Sequence, residues 1–121
     1  MKYTIRSKIW IEDDNNNVIF GLGRLKILDA IQKTGSIHAA AKNLCMSYRA
    51  VWLKIKATEE RIGRPLLIKN IGGNTRGGSK LTPLAEELLR LFRDLHRDIK
   101  NKSDDIFDRI FTSNIPSKLD L

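Results

Sequence analysis

The sequence predicts a mainly α-helical fold with a small amount of β-structure. Four stretches place apolar residues three and four apart, and capping residues bound most of them, which is typical of amphipathic helices. Two short β-prone runs lie near the N-terminus, and two strand-like pieces enclose a glycine-rich loop after the third helical stretch. The 121 residues suffice for one domain with a single core and an appendage.

The N-terminal segment predicts a β-hairpin. Residues 3 to 11 alternate loosely between apolar and polar side chains, and Val18 to Phe20 form a second β-prone run. The EDDNNN between them is strongly turn-forming, and Gly21 and Gly23 close the hairpin. Because the charges of this segment cancel, we expect it to contribute packing rather than binding.

Two helices are predicted next. The first runs from about Arg24 to Lys33, and Gly35 ends it in the left-handed conformation. The hydroxyl of Ser36 then caps a short helix from about Ile37 to Leu44. Its small alanine side chains allow a neighbouring helix to approach closely, so we expect another helix to cross it.

A longer helix follows a very short turn. Cys45 and Met46 form the turn, Ser47 is the capping residue and the helix starts at Tyr48. Two helices joined in this way are typical of a helix-turn-helix, whose second helix enters the major groove of duplex DNA. The sequence therefore predicts a recognition helix over about residues 47 to 63.

The recognition helix has two chemically different faces. Its predicted buried stripe consists of Val51, Ile55, Thr58 and Ile62. The DNA-facing candidates on this helix and the one before it are Ser36, Lys42, Ser47, Tyr48, Arg49, Trp52, Leu53 and Lys56. An alternative interpretation is a solvated face without function, but large apolar side chains beside cations argue against it.

A wing is predicted after the recognition helix. Pro65 ends that helix, and Leu66 to Lys69 form a strand-like piece. The GGNTRGGSK from Gly72 to Lys80 has no apolar side chain, so it cannot pack into a core. It is either a surface loop without contacts or a wing that meets phosphates or the minor groove. The bases that would make those contacts are Lys69, Arg76 and Lys80.

A long helix is predicted from Pro83 to about Phe111, with Thr82 as its capping residue. At 1.5 Å per residue it reaches about 43 Å, longer than a domain of this size is wide, so part of its apolar stripe needs a partner. The SDD at residues 103 to 105 leaves open a break near Lys102. We expect a homodimer whose interface contains Leu84, Leu88, Leu91, Leu95, Ile99 and Ile106.

Positive charge is concentrated in the middle of the chain. The formal net charge is +8, and residues 24 to 82 hold twelve bases against three acids, which favours a polyanionic partner. The single cysteine excludes an internal disulfide framework and is typical of a reducing cytosol. The sequence shows no membrane-spanning run and no signal peptide, so we expect a cytoplasmic protein.

Catalytic and metal-binding motifs are not recognised in the sequence. The glycine-rich loop lacks the order of a phosphate-binding loop, because Ser79 precedes Lys80. His38 and His96 lack the spacing of metal ligands, and Cys45 is interpreted as an inert, partly buried side chain rather than a redox-sensitive thiol. We therefore expect neither an enzyme nor a bound cofactor or metal.

Several short sequence motifs accompany this order of elements. They are Gly23-Arg24, Ala30-Ile31, TGSI at 34 to 37, AAAKNL at 39 to 44, MSYRAVW at 46 to 52 and KLTPLAEELL at 80 to 89. They closely resemble the N-terminal DNA-binding domain of the molybdate-responsive regulators, the ModE family. The TGSI-x-AAA and LTP motifs are also similar to the broader LysR-type winged helices. The resemblance covers about residues 5 to 92.

The resemblance implies a winged helix-turn-helix on a homodimer joined through the last helix. It implies that Ser47, Tyr48 and Arg49 lie at the DNA end of the recognition helix and that Arg76 lies on the wing. Cys45 departs from the family, which usually has glycine there. Full-length members continue into oxyanion-binding domains, so molybdate or tungstate sensing is not carried over and no small-molecule effector is identified.

The sequence as a whole predicts a winged helix-turn-helix DNA-binding domain over residues 1–82, a long dimerisation helix over 83–112 and a polar tail over 113–121. The predicted function is a homodimeric transcriptional regulator that binds duplex DNA, with a palindromic operator as the expected target. The alternative is a winged-helix protein-interaction module whose basic face binds an acidic partner, with Trp52 and Leu53 at its centre.

Overall fold

A computed structural model describes residues 3–69 and 78–112 of the chain. The helices are α1 (Leu22–Thr34), α2 (Ile37–Asn43), α3 (Tyr48–Ile62) and α4 (Pro83–Phe107), the last continued by a π-helix, Asp108–Thr112. The strands are β1 (Trp10–Glu12), β2 (Val18–Gly21), β3 (Leu67–Lys69) and β4 (Ser79–Leu81). They form two antiparallel two-stranded sheets, β1 with β2 and β3 with β4. The predicted fold class, a winged helix-turn-helix with a long last helix, is confirmed.

The N-terminal hairpin is shorter than predicted. Residues 3–9 form no strand, because β2 has only four residues and leaves no partner beyond Trp10. β2 itself extends to Gly21, and α1 begins directly at Leu22 instead of at Arg24. The two glycines that were expected to close the hairpin therefore lie at the end of β2 and inside α1.

The turn of the hairpin is held by one carboxylate. Asp13 Oδ1 accepts hydrogen bonds from the backbone N–H groups of Asn15 and Asn17, each at 2.9 Å. The hydrogen bond from Asn17 holds the pKa of Asp13 below its ordinary value, since it stabilises the charged form. The turn-forming character of this segment thus has a defined chemical origin.

The core lies where the four helices meet the two sheets. Phe20 of β2 packs against Phe92 of α4, with ring centroids 5.2 Å apart, and this contact fixes the hairpin on the last helix. The predicted buried stripe of α3 is confirmed at Val51, Ile55 and Thr58, whereas Ile62 is half-buried at the end of the helix. The largest fully buried side chains among the described residues are Phe20, Ile27, Leu28, Ile31, Val51, Thr58, Leu66 and Leu89.

The predicted helix caps are confirmed. The hydroxyls of Ser36, Ser47 and Thr82 each accept a hydrogen bond from the backbone N–H three residues later, at 2.9 to 3.2 Å. Gly35 and Gly63 end α1 and α3 in the left-handed conformation, with φ of 78° and 77°. The ends of the helix-turn-helix are therefore set by local sequence.

α4 runs without interruption through Lys102, so the break that the sequence left open there is absent. Ser103 lies inside the helix, because the apolar stripe of α4 continues past it to Ile106. The α-helix ends at Phe107, and the π-helix begins at Asp108. Asp29 of α1 ties α4 to the domain by an ion pair with Arg93. Of the described helices, none is both long and apolar enough to cross a membrane.

The base of the predicted wing is attached to the corner between α1 and α2. The backbone N–H of Ser79 in β4 donates to the carbonyl of Gly35 at 2.8 Å, and Gly78 forms an isolated β-bridge with Ser36. Residues 70–77, with Arg76 at the predicted tip, lie outside the described residues.

Candidate nucleic-acid interface

The turn between α2 and α3 adopts a conformation that glycine normally favours. Cys45 has a φ of 55°, and the backbone N–H of Met46 reaches back to the carbonyl of Ala41 at 2.9 Å. The side chain of Cys45 is exposed, so the expectation of a partly buried thiol is wrong. The neighbouring Met46 packs against the core in its place. Cysteine thus occupies a left-handed position in the turn, where glycine would be unstrained.

The recognition helix α3 exposes the face that the sequence assigned to DNA. Tyr48, Trp52 and Leu53 are 40%, 37% and 45% exposed, and they lie close together on one helix. Arg49 and Lys56 are also exposed, and the buried stripe of α3 lies on the other side of the helix. The N-terminal half of α3 therefore presents aromatic, apolar and cationic groups together.

Lys56 is held by two neighbours on its own helix. Its Nζ lies 3.1 Å from Oε1 of Glu59 and 5.7 Å from the centroid of the Trp52 ring. Both contacts restrict the side chain, and the second is in the range of a cation–π interaction. A phosphate that binds Lys56 therefore competes with Glu59 for the ammonium group.

Glu59 is a residue that sequence reasoning missed. Its Oε2 accepts hydrogen bonds from the backbone N–H groups of Leu66 and Leu67, at 2.7 and 3.4 Å. The carboxylate thereby links the C-terminal part of α3 to the first strand of the wing. The only local indication in the sequence is its position three residues after Lys56, which predicts the ion pair but not the link to the wing.

Thr58 is a polar residue in the buried stripe of α3, and its partner explains its place there. Arg24 Nε of α1 donates to Thr58 Oγ1 at 2.6 Å, and this hydroxyl donates in turn to the carbonyl of Lys54 at 3.1 Å. Burial lowers the pKa of Arg24, and the charge of nearby Arg61 lowers it further. This polar contact fixes α3 against α1 within the core.

A second aromatic contact lies at the start of the recognition helix. His38 of α2 stacks on Tyr48, the first residue of α3, with ring centroids 4.3 Å apart and an angle of 24° between the ring planes. Both side chains are exposed. Sequence reasoning set His38 aside because it lacks the spacing of a metal ligand. It did not predict this stack, because the two rings lie on different helices.

The other DNA-facing candidates have different surroundings. Ser36 is half-buried, where it caps α2 and forms the bridge to the wing, and Ser47 caps α3. Lys42, Lys69 and Lys80 are exposed, on α2 and at the base of the wing. Within residues 3–69 and 78–112, no three His, Cys, Asp or Glu side chains are grouped where they could hold a metal ion.

The dimer-interface candidates on α4 fall into two groups. Leu84 and Leu88 are half-buried because they already pack against the core of their own domain. Ile99 is also half-buried. The exposed members are Leu91, Leu95 and Ile106, which are 48%, 40% and 47% exposed. The apolar stripe of α4 thus extends beyond the surface that its own domain covers.

Comparison with known proteins places this architecture among transcriptional regulators. Residues 22–86 match the model of the bacterial regulatory helix-turn-helix proteins of the lysR family. A ModE transcriptional regulator of Haemophilus influenzae is 45% identical over 74 residues, which cover 61% of this chain and 29% of the relative. The DNA-binding transcriptional dual regulator ModE of Escherichia coli is 31% identical over 83 residues, covering 69% and 31%. The chain spans about three tenths of the length of these relatives.

Solved structures give the same result for the fold. The DNA-binding domain of CbnR in complex with DNA has a TM-score of 0.59 at 23% identity, covering 76% of this chain and all of that one. Full-length LysG from Corynebacterium glutamicum has a TM-score of 0.52 at 25% identity, covering 72% of this chain and 28% of that one. The match over residues 22–86, together with the observed fold, shows that the chain belongs to the lysR family of bacterial regulatory helix-turn-helix proteins.

Proposed function

We propose that this chain is a homodimeric transcriptional regulator that binds duplex DNA in a sequence-specific manner, with α3 in the major groove. The observation that carries the proposal is the exposed N-terminal half of α3, with Tyr48, Arg49 and Trp52 opposite its buried stripe. Residues at this end of the second helix are the ones that reach base edges in helix-turn-helix proteins. The ModE relatives are described as transcriptional regulators, and the CbnR structure contains DNA, which supports the same role.

The distribution of charge supports a polyanionic partner for this face. Residues 24 to 82 hold twelve bases against three acids, whereas the rest of the chain is nearly neutral. Lys69 and Lys80 are exposed at the base of the wing. We propose that residues 66–82, including Arg76, contact the DNA backbone or the minor groove.

The long helix supports the dimer. α4 has 25 residues, about 38 Å at 1.5 Å per residue, and it exposes Leu91, Leu95 and Ile106. We propose that residues 83–112 join two copies, each with a DNA-binding domain over residues 1–82, and that residues 113–121 form a polar tail. Two recognition helices about 34 Å apart would read a palindromic operator in the cytoplasm, by binding rather than by catalysis.

The function is tested by selecting duplexes from a random-sequence library with the full chain and measuring Kd for a selected and a scrambled duplex. We expect Kd to rise steeply with salt, because each neutralised phosphate contributes a log–log slope of about 0.9. We also expect the selected duplex to bind more tightly than the scrambled one. An affinity that is unchanged between low and physiological salt would contradict nucleic-acid binding.

Two substitutions and a control separate the reading of base sequence from general electrostatic attraction to DNA. Arg49→Ala should relax the preference for the selected duplex by about 1–3 kcal/mol, because an arginine at this position can donate two hydrogen bonds to a guanine edge. Lys26→Ala removes one exposed base from α1 and should leave the preference unchanged. Arg76→Ala should weaken both duplexes to a similar extent.

The second candidate function is a protein-interaction module. Trp52 and Leu53 are exposed beside cations, and tryptophan is one of the residues that are enriched in protein-binding hot spots. In that case Trp52→Ala would abolish capture of an acidic protein partner, and the chain would show no preference among duplex sequences.

A further inference from the structure

His38 and Tyr48 form a stacked pair at the end of α3 that is proposed to meet DNA. The ring centroids are 4.3 Å apart and the ring planes are nearly parallel, at 24°. The pair joins two helices, since His38 is the second residue of α2 and Tyr48 is the first residue of α3. Both side chains are exposed, so the contact lies on the surface and not in the core.

Tyr48 is the first residue of its helix, and this position makes the contact with His38 important for the orientation of its side chain. A side chain in the interior of a helix is restricted by the turn that precedes it, but the first residue has no preceding helical turn. Ser47 caps α3 by accepting a hydrogen bond from the backbone N–H of Ala50, a contact that does not involve the Tyr48 ring. The imidazole of His38 stacks on the phenol ring and thereby limits where it can point.

A side chain that is ordered before binding loses less conformational freedom when it meets its target. We propose that His38 is a positioning residue for DNA recognition, whose stack on Tyr48 holds the phenol ring where α3 presents it to the duplex. The inference rests on the proposed function of α3. It assigns His38 an effect on DNA affinity that passes through Tyr48 and not through a contact of its own.

The test is a double-mutant cycle on DNA binding with the full chain. Kd is measured for the duplex selected by the wild type, with His38→Ala, Tyr48→Ala and the double variant, at one salt concentration. We expect His38→Ala to weaken binding by about three- to tenfold, the range for one side chain that has lost its preordering. We expect no further loss from His38→Ala in the Tyr48→Ala background.

A rescue variant and a control accompany the cycle. His38→Phe keeps a flat ring against Tyr48 and should restore wild-type affinity to within about twofold, whereas Gln32→Ala, at an exposed position on α1, should have no effect. A loss that His38→Phe does not restore, or that persists in the Tyr48→Ala background, overturns the positioning role. A loss of DNA affinity in His38→Ala that accompanies a lower Tm also overturns it, because the loss would then come from the stability of the fold.

The outcome is separable from that of the proposed function. If His38→Ala binds as well as the wild type while Arg49→Ala loses its sequence preference, the inference on His38 is wrong and the function of α3 stands. If the wild type selects no duplex at any salt concentration, the proposed function fails, and the role of His38 fails with it.

Discussion

The Oε2 of Glu59 accepts a hydrogen bond from the backbone N–H of Leu66 at 2.7 Å. One carboxylate on α3 thereby helps to hold the start of the wing, together with Thr82, whose backbone N–H donates to the carbonyl of Leu66. Leu66 is 2% exposed, so the bond lies at the edge of the core, where a lost partner is not replaced easily by water. The relative orientation of the two elements that are proposed to contact DNA depends on this contact.

Glu59→Ala should lower the free energy of unfolding by about 1.5–3 kcal/mol, the range for hydrogen bonds to a charged group. Chemical denaturation measures the change. Glu60→Ala is the matched control, because Glu60 is the next residue on the helix and is exposed, and its removal should change stability by about 0.5 kcal/mol or less. Equal effects of the two substitutions would show that the link between α3 and the wing contributes nothing to the free energy of unfolding.

Cys45→Gly should stabilise the protein by about 0.5–1 kcal/mol. Cys45 has a φ of 55°, a conformation in which a Cβ atom is strained and glycine is not. The gain is partly offset because glycine makes the unfolded chain more flexible. Cys45→Ala keeps the Cβ atom and should leave the unfolding midpoint unchanged, so a gain in both variants would mean that the thiol, not the backbone, is unfavourable.

Thr58→Val should destabilise the protein by about 1–3 kcal/mol, because it leaves the Arg24 Nε–H near the core without its acceptor. Thr58→Ser keeps the hydroxyl and removes one methyl group, a loss of about 0.8 kcal/mol. Thermal unfolding of both variants ranks the two effects. If the Thr58→Val variant is more stable than the Thr58→Ser variant, packing at this position outweighs the hydrogen bond from Arg24.

Replacing Leu91 and Leu95 with Asp should convert a dimer into a monomer. The substitutions place charges without partners in the proposed seam, at a cost of several kcal/mol. Asn101→Asp is the control, because it adds a charge at an exposed polar position on the same helix. Sedimentation at micromolar concentration is the measurement, and a wild-type mass of 13.8 kDa would contradict the dimer.

The features that could be predicted from the sequence are those with local causes. Ser36, Ser47 and Thr82 each cap a helix whose first residues follow them directly, so each helix start is visible in a few letters. The exposed face of α3 follows from its periodicity in the same way. The turn at Cys45 was located correctly, but the exposure of its thiol depends on Met46 taking the place against the core.

The contacts that sequence reasoning missed join different elements of the fold, whether those elements are distant or close along the chain. Arg24 and Thr58 meet only because α1 packs on α3, and Glu59 meets the wing only after the chain has turned at Gly63. The absence of a strand over residues 3–9 has the same origin, since alternation of side chains predicts a strand but not the partner that it needs.

The attachment of β4 to the carbonyl of Gly35 has a consequence for the order of folding. α1 and α2 close through short-range contacts, whereas the hydrogen bond from Ser79 to Gly35 joins residues that are far apart along the chain and can form only after α3 has been made. During synthesis, the helix-turn-helix leaves the ribosome with this acceptor still unused. The wing therefore closes on a helix-turn-helix whose own contacts are shorter in range, and exchange of the amide proton of Ser79 reports whether this attachment has formed.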